Sequence, residues 1–135
     1  MNGEGSTTIT NSTITGNTAR FGGFYWGFGT VILHFNRISG NTPNTITNAG
    51  GTVNAQNNWW GSNLNPSSQF SGTVNYSPWI YMTFTSEPNP ILNHATSVLL
   101  ADFNHAYDGI ILVNLDPALG HLPSSPVTFT TDLGS

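Results

Sequence analysis

The sequence predicts an all-β protein in which a short parallel β-helix is followed by a partial β-sandwich. Three observations lead to this prediction. The chain is rich in Asn and Thr, with 17 and 18 of its 135 residues, and only 6% of its residues are charged. A ten-residue pattern recurs in the first half at an offset of 24 residues. The second half changes to the apolar–polar alternation of half-buried strands.

The composition favours a folded chain over a disordered one and excludes several classes of function. Hydrophobic residues make up 37% and aromatic residues 12% of the chain, which is more apolar surface than disordered polar tracts carry. The absence of cysteine excludes disulfides, thiolate zinc sites and a cysteine nucleophile. Arg20 and Arg37 are the only permanent cations, so we expect no nucleic-acid partner. No stretch approaches the roughly 20 apolar residues of a membrane span.

The repeat in the first half has a recognisable ending. Residues 9–18 align with residues 33–42, and both copies end in Ile-x-Gly-Asn-Thr. A weaker third copy contains Val53, which lies 22 residues after Val31. A period of 22 to 24 residues with β-forming composition predicts coils that return one strand spacing, about 4.8 Å, higher. A plain antiparallel meander is the alternative.

Stacked coils place equivalent residues of successive repeats above one another. We therefore expect Ile14, Ile38 and Trp60 to form one column. Asparagines that stack in the same way can pair their side-chain amides along the column. The Gly-Asn pair after each apolar position supplies the left-handed backbone that a corner needs.

An aromatic segment, residues 21–29, follows the first copy of the repeat and is predicted to interrupt the first coil. Two interpretations remain open. In one, Tyr25 and Trp26 form a platform on which sugar rings stack. In the other, the aromatic rings plug the end or the side of a short solenoid.

The motif Asn57-Asn58-Trp59-Trp60-Gly61, followed by Ser77-Pro78-Trp79, resembles the end of the parallel β-helix in adhesin-like cell-surface proteins of methanogenic archaea. In that family the final coil carries this motif, and a Ser/Thr-Pro-Trp strand then enters an immunoglobulin-like domain. The resemblance implies a right-handed, pectate-lyase-like helix over residues 1–75 and an incomplete immunoglobulin-like domain over residues 76–135. It also implies an extracellular structural protein without catalysis.

Three tryptophans are predicted to pack at the junction of the two halves. Trp59 and Trp60 point to opposite sides of a strand because side chains alternate there. One ring can close the core of the helix while the other packs on the following domain, where Trp79 begins the next strand. A simple aromatic pair within one core is the alternative.

The second half contains three or four predicted strands, whereas an immunoglobulin-like sandwich has seven. Ile80, Met82 and Phe84 share one face of the first strand. The other predicted strands are residues 97–103 and 127–131, with residues 110–115 as a further candidate. The Glu-Pro-Asn-Pro sequence at residues 87–90 predicts a turn.

The residues indicate neither catalysis nor a cofactor or metal. Lyases on the β-helix fold need clustered acids and a basic residue, but Glu4 is the only acid before Glu87. The histidines lack the close spacing of metal ligands. We therefore predict that the chain is not an enzyme. Asn11 and Asn75 begin N-glycosylation sequons.

Two functions remain as hypotheses. The first is an extracellular, cell-surface structural subunit that polymerises with its own copies through residues 79–85 or 126–133. The apolar side chains assigned to this contact are those of Ile80, Met82, Phe84, Val127 and Phe129. The alternative is a module that binds cell-surface glycan through the aromatic residues 21–28.

Overall fold

The computed structural model describes residues 5–130, and this part of the chain is all-β. Its helices are two short 3₁₀ segments, Pro66–Gln69 and Pro117–Leu119. The first half contains β1 (Ser6–Thr10), β2 (Thr13–Thr15), β3 (Phe24–Trp26), β4 (Thr30–His34), β5 (Arg37–Ser39), β6 (Ile46–Asn48), β7 (Thr52–Asn54) and β8 (Phe70–Ser71). The second half contains β9 (Trp79–Glu87), β10 (Val98–Tyr107) and β11 (Leu112–Asn114).

The strands of the first half form three small sheets in which every pair is parallel. The strand orders are β1-β4-β7, β2-β5 and β3-β6-β8. Ile14 pairs with Ile38, as the repeat predicts, so the antiparallel alternative is wrong. A bridge from Arg37 to Trp59 extends this column and brings Trp60 level with Ile38.

The aromatic segment is part of this regular arrangement. Residues 24–26 form β3, which pairs in parallel with β6. The prediction that residues 21–29 interrupt the regular pairing is therefore wrong, because residues 24–26 are a paired strand. Phe24 and Trp26 pack against the core, whereas Tyr25 points outward and is exposed. This alternation is the ordinary consequence of strand geometry.

The chain turns between strands at corners with left-handed backbone. Asn11, Phe35 and Asn57 have φ values of 48°, 57° and 55° and occupy the same corner of successive repeats. Gly16 and Gly40 have φ values of 67° and 64° at the next corner, as predicted from the Gly-Asn pairs. Asparagine and glycine tolerate this conformation, whereas a bulky residue such as Phe35 adopts it only where the surroundings enforce it.

A column of asparagine side chains runs along the first corner. Asn36 and Asn58 are fully buried. The backbone amide and Nδ2 of Asn36 both donate to Oδ1 of Asn58, over 2.9 and 3.0 Å. In the turn above, the amide of Ser12 donates to Oδ1 of Asn36, and Nδ2 of Asn36 donates to the carbonyl of Ile9. The predicted pairing of stacked amides is confirmed for these residues.

One apolar core lies between the three sheets. The residues of β4 alternate, so that Val31 and Leu33 are fully buried and Ile32 is half-buried. Burial of each such side chain contributes about 1.5–3 kcal/mol. The remaining buried members of the core are Ile38, Ile46, Val53, Ala55, Trp60 and Trp79.

The second half is an antiparallel sheet in the order β11-β10-β9, with an irregularity in register between Asp102 and His105. The predicted strands around residues 80–85 and 97–103 are confirmed, and both extend further than expected. The candidate strand at residues 110–115 is shorter, as β11. Strand β9 ends at Glu87, where the predicted turn begins.

The predicted strand at residues 127–131 is wrong for the residues that the structure describes. Val127–Thr130 form no strand, and Thr131 lies outside the described residues. The approach to this segment contains Pro123 and Pro126, which cannot donate a backbone hydrogen bond. The carbonyl of Pro123 instead accepts from Nε of Arg37, so the segment crosses toward the first half.

The two halves meet at the start of β9. The amide of Ile80 donates to the carbonyl of Asn58, and the amide of Asn57 donates to the carbonyl of Pro78. The first residues of β9 therefore continue the parallel stack before β9 joins the antiparallel sheet. Trp79 and Ile80 are buried as a result. The division at residues 75 and 76 stays a prediction.

Replacement of Trp60 should be costly. Trp60 is 2% exposed and packs edge-to-face with Phe70, with 4.9 Å between the ring centroids. We expect Trp60→Ala to lower the free energy of unfolding by about 3–5 kcal/mol through loss of the buried ring. The exposed Tyr25 is the matched control, and Tyr25→Ala should cost less than about 1 kcal/mol. Urea titration measures both, and equal midpoints for Trp60→Ala and the wild type would contradict this role.

The asparagine column should also carry stability. Asn36→Ala removes the partners of the Ser12 amide and the Ile9 carbonyl in a largely buried place. It also removes one of the two donors to Asn58 Oδ1, which keeps the backbone amide of residue 36. We expect a loss of about 2–5 kcal/mol, since each abandoned buried group costs about 1–3 kcal/mol. Thr13→Ala, on an exposed strand position, should change the free energy by less than about 0.5 kcal/mol. An Asn36→Ala protein as stable as the Thr13→Ala protein would show that the column is dispensable.

Candidate functional site

The tryptophan pair divides between the two halves. Trp60 belongs to the core of the first half, whereas Trp59 packs edge-to-face on Phe103 of β10, with 4.9 Å between the ring centroids. Trp79 lies in the core beside Tyr107, at 5.3 Å. The alternation of Trp59 and Trp60 predicts this arrangement, in which one ring packs in the first half and the other packs on the second half.

A cleft of about 390 Å³ separates β5, the inner end of the antiparallel sheet and residues 115–127. Arg37 spans part of it. Its guanidinium carbon lies 4.7 Å from the ring centroid of Phe103, and Nε donates to the carbonyl of Pro123 over 2.9 Å. Burial lowers the pKa of Arg37. Arg37 thus ties the first half to the segment that follows the sheet, a role that its sequence position did not reveal.

A polar cluster lies at the irregularity of β10. Asp102 accepts from the amide of Asn104 and from Oγ1 of Thr83, and Nδ1 of His105 lies 3.0 Å from Asp102 Oδ1. Burial opposes ionisation of Asp102, but these hydrogen bonds outweigh it and hold the pKa of Asp102 below its ordinary value. The hydroxyl of Thr83 donates to the carboxylate and not to the histidine, so the cluster is not arranged to activate a nucleophile.

The outer end of the antiparallel sheet leaves large apolar side chains in solvent. On β10, Val98 is 72% and Leu100 55% exposed, and Leu99 on the opposite face is 44% exposed. Phe84 of β9 is 56% exposed. Isolated exposed apolar residues are normal in proteins, but a contiguous group on both faces of one sheet is typical of an interaction surface. We call Phe84, Val98, Leu99 and Leu100 the outer sheet surface.

The residues predicted for self-association are placed differently from one another. Ile80 is fully buried within the chain, and Met82 is half-buried. Phe84, Val127 and Phe129 are exposed, and the rings of Phe84 and Phe129 lie 5.9 Å apart. The structure thus brings Phe84 and Phe129 together at the surface, whereas Ile80 is part of the interior.

The two rings predicted to stack on sugars also differ. Trp26 faces inward, and its Nε1 donates to the carbonyl of Gly29 over 3.3 Å. Tyr25 is exposed and lies 5.0 Å from the ring of Phe21. The exposed aromatic residues of this segment are therefore Phe21, Tyr25 and Phe28, of which Phe28 is 91% exposed. Trp26 belongs to the packing of the first half.

The two asparagines that begin the sequons, Asn11 and Asn75, are both exposed. Residues 5–130 hold no group of three or more His, Asp or Glu side chains placed to bind a metal ion. Neither 3₁₀ helix in this range has the length and hydrophobicity of a membrane-spanning helix.

Comparison with protein-family models, with curated proteins and with solved structures found no match to this chain. The resemblance to archaeal adhesin-like proteins therefore stays a prediction.

The charge of Asp102 should make stability depend on pH. A carboxyl whose pKa is lower in the folded state stabilises the protein above its unfolded pKa of about 3.9 and loses this contribution as the pH falls through its folded pKa. We therefore expect Asp102→Asn to be less stable than the wild type at pH 7 and to approach it at acidic pH. Asp116→Asn is the control, because asparagine caps the exposed 3₁₀ turn as well as aspartate does. Urea midpoints measured across this range test the expectation, and a pH-independent difference would contradict it.

Proposed function

We propose that the chain is a non-enzymatic structural and adhesive protein of the extracellular cell surface that associates with its own copies through β-strand contacts. The observation that carries this proposal is the outer part of the β9 edge, at Phe84 and Ser86, which pairs with no described residue and runs beside the outer sheet surface. An unpaired strand edge next to exposed apolar side chains is a template for pairing with another chain.

We also propose a more specific architecture for these small β sheets. The parallel pairs at offsets of 24 and 22 residues support a short right-handed, pectate-lyase-like β-helix. The three strands that follow support an incomplete immunoglobulin-like domain. Both assignments fit the resemblance to archaeal adhesin-like proteins, which is the source of the cell-surface location.

The hydrogen bonds of β9 indicate which backbone groups on its outer edge are unpaired within the described residues. The backbone of Ile80 bonds to Asn58, and the backbone amide and carbonyl of Met82 bond to the side chain of Asn63. Backbone groups of alternate residues point to the same edge of a strand. Those of Phe84 and Ser86 therefore also point away from β10, and no described residue pairs with them.

A neighbouring copy can supply the missing strand. Residues 127–130 alternate as Val-Thr-Phe-Thr, and their amides donate no hydrogen bond within the described part of the chain. Addition of this segment to the β9 edge would satisfy main-chain groups and bury apolar side chains together. Because it joins two different surfaces, the contact would continue into a filament unless its rotation closed a ring. The rest of the predicted pairing segment, residues 131–133, lies outside the described residues.

A carbohydrate-binding module is the second candidate. The exposed pair of Tyr25 and Phe21 supports it, because sugar rings stack on accessible aromatic faces. A glycan binder of this kind would be a stable monomer, whereas a structural subunit would form larger species. The mass in solution therefore distinguishes the two functions.

The edge contact is tested with two substitutions at one position. Ser86→Pro removes the outward-pointing amide but no hydrogen bond to β10, and proline is tolerated on such edges. Ser86→Ala keeps the amide and is the matched control. We expect the wild type and Ser86→Ala to form species larger than a monomer in size-exclusion chromatography with light scattering, and Ser86→Pro to be a monomer.

Hydrogen exchange provides a second measurement of the same contact. The amides of Phe84 and Ser86 should become more protected as the protein concentration rises in the wild type. A wild-type protein that stays monomeric at every concentration, with these amides freely exchanging, would contradict the proposal. Urea titration of Ser86→Pro verifies that any loss of assembly occurs in a folded chain.

A further inference from the structure

A second column of asparagines runs along the next corner of the first half and ends after two members. The backbone amide and Nδ2 of Asn17 both donate to Oδ1 of Asn41, over 2.9 and 3.0 Å. Nδ2 of Asn41 donates to the carbonyl of Ile14. This repeats the pattern of Asn36 and Asn58, in which Oδ1 of Asn58 accepts from two N–H groups of Asn36 in the turn above.

No described residue of the third turn supplies an acceptor to Asn41. By analogy with Asn36, the backbone amide of Asn41 and its second Nδ2 hydrogen should converge on one oxygen of the next turn. Within the described residues the backbone amide of Asn41 has no hydrogen-bond partner, and its Nδ2 has only the Ile14 carbonyl. Asn41 is 6% exposed, so these donors lie in a largely buried place.

The position beneath Asn41 lacks an acceptor because the chain leaves the stack after Trp60. Gly61 passes so close beneath Ser39 that a Cβ there would lie 2.8 Å from that of Ser39. Asn63 then turns toward β9, where its side chain bonds to the backbone of Met82. The chain returns at Gln69, whose carbonyl accepts from the Thr45 amide.

The space left open is a cleft of about 510 Å³, which is in the range of small-molecule sites. Gln69 closes one side, since its Nε2 donates to the carbonyl of Trp60 and its Oε1 accepts from Oγ1 of Thr45. The rest of the lining is polar and uncharged apart from Pro43 and Trp60. The remaining lining residues that carry hydroxyl groups are Ser39, Ser62 and Ser68.

We infer that this cleft binds the acetamido group of an N-acetylated sugar. The carbonyl oxygen of the acetamido group takes the place that Oδ1 of Asn58 occupies beneath Asn36, and it accepts from the amide and Nδ2 of Asn41. The methyl group faces the apolar surface of Pro43, and the sugar hydroxyls face the serines. The inference does not rest on self-association.

The chemistry of the lining selects an amide over a charged group. Two convergent N–H donors repel a cation. A carboxylate could accept from both donors, but no Arg, Lys or His side chain lines the cleft to offset the loss of its hydration. A neutral amide oxygen makes the same two hydrogen bonds at a lower desolvation cost. A bare hydroxyl is a weaker acceptor and lacks the flat shape of the amide in the ladder.

The inference is tested by NMR titration of the ¹⁵N-labelled chain with N-acetylglucosamine, glucose and acetamide. We expect N-acetylglucosamine to shift the backbone and side-chain N–H signals of Asn41 in a saturable manner, and glucose to leave them unchanged. Acetamide should shift the same signals in the same direction with weaker affinity. No saturable shift, an equal response to glucose, or acetamide binding as tightly as the sugar would overturn the inference.

A pair of neighbouring substitutions locates the response. Ser68 is exposed at the mouth of the cleft, whereas the adjacent Ser67 is exposed but does not line it. Ser68→Trp should abolish the shift by filling the cleft, and Ser67→Trp should retain it. A response that survives Ser68→Trp would place the sugar elsewhere and refute the site. The comparison of sugars on the wild type decides the question independently if Ser68→Trp does not fold.

Discussion

The first half of the molecule depends on the stacking of identical groups in register. A parallel stack places the same residue of each repeat one strand spacing above its counterpart. Each side chain therefore has to pack against, or hydrogen-bond to, the equivalent side chain of the next repeat. Asparagine meets this requirement, because its side chain both donates and accepts and can therefore bond to another asparagine above or below it. The buried pair Asn36–Asn58 fixes the register, and the left-handed corners at Asn11, Phe35 and Asn57 follow from the same requirement.

The repeat allowed much of this half to be predicted, while the second half was less predictable. The pairing of Ile14 with Ile38 was predictable because each begins an Ile-x-Gly-Asn-Thr ending, identical at four of five positions. The aromatic strand at residues 24–26 was misassigned because glycines surround it and mask its alternation. Val127–Thr130 has a strand-like pattern, yet whether such a segment pairs depends on distant partners, and local sequence does not contain them.

In the candidate sites too, features set by local geometry were predictable and features set by remote residues were not. The opposite orientation of Trp59 and Trp60 was predictable from strand geometry alone, whereas the role of Arg37 depends on Phe103 and Pro123, which are remote in sequence. The gap beneath Asn41 was equally hidden, since it arises from the path of residues 61–69 and not from any motif. A missing hydrogen-bond acceptor in a repeat can be recognised only from the three-dimensional positions of the neighbouring turns.

The start of β9 has a mechanical consequence. This strand is at once the last rung of the parallel stack and the edge of the antiparallel sheet, with Trp79 and Ile80 in the shared interior. A tension that pulls the sheet away along β9 would load the bonds to Asn57, Asn58 and Asn63 simultaneously, in shear, instead of opening them one after another. The two halves should therefore resist such tension together, and strain applied to either should be transmitted to the tryptophan-lined interior.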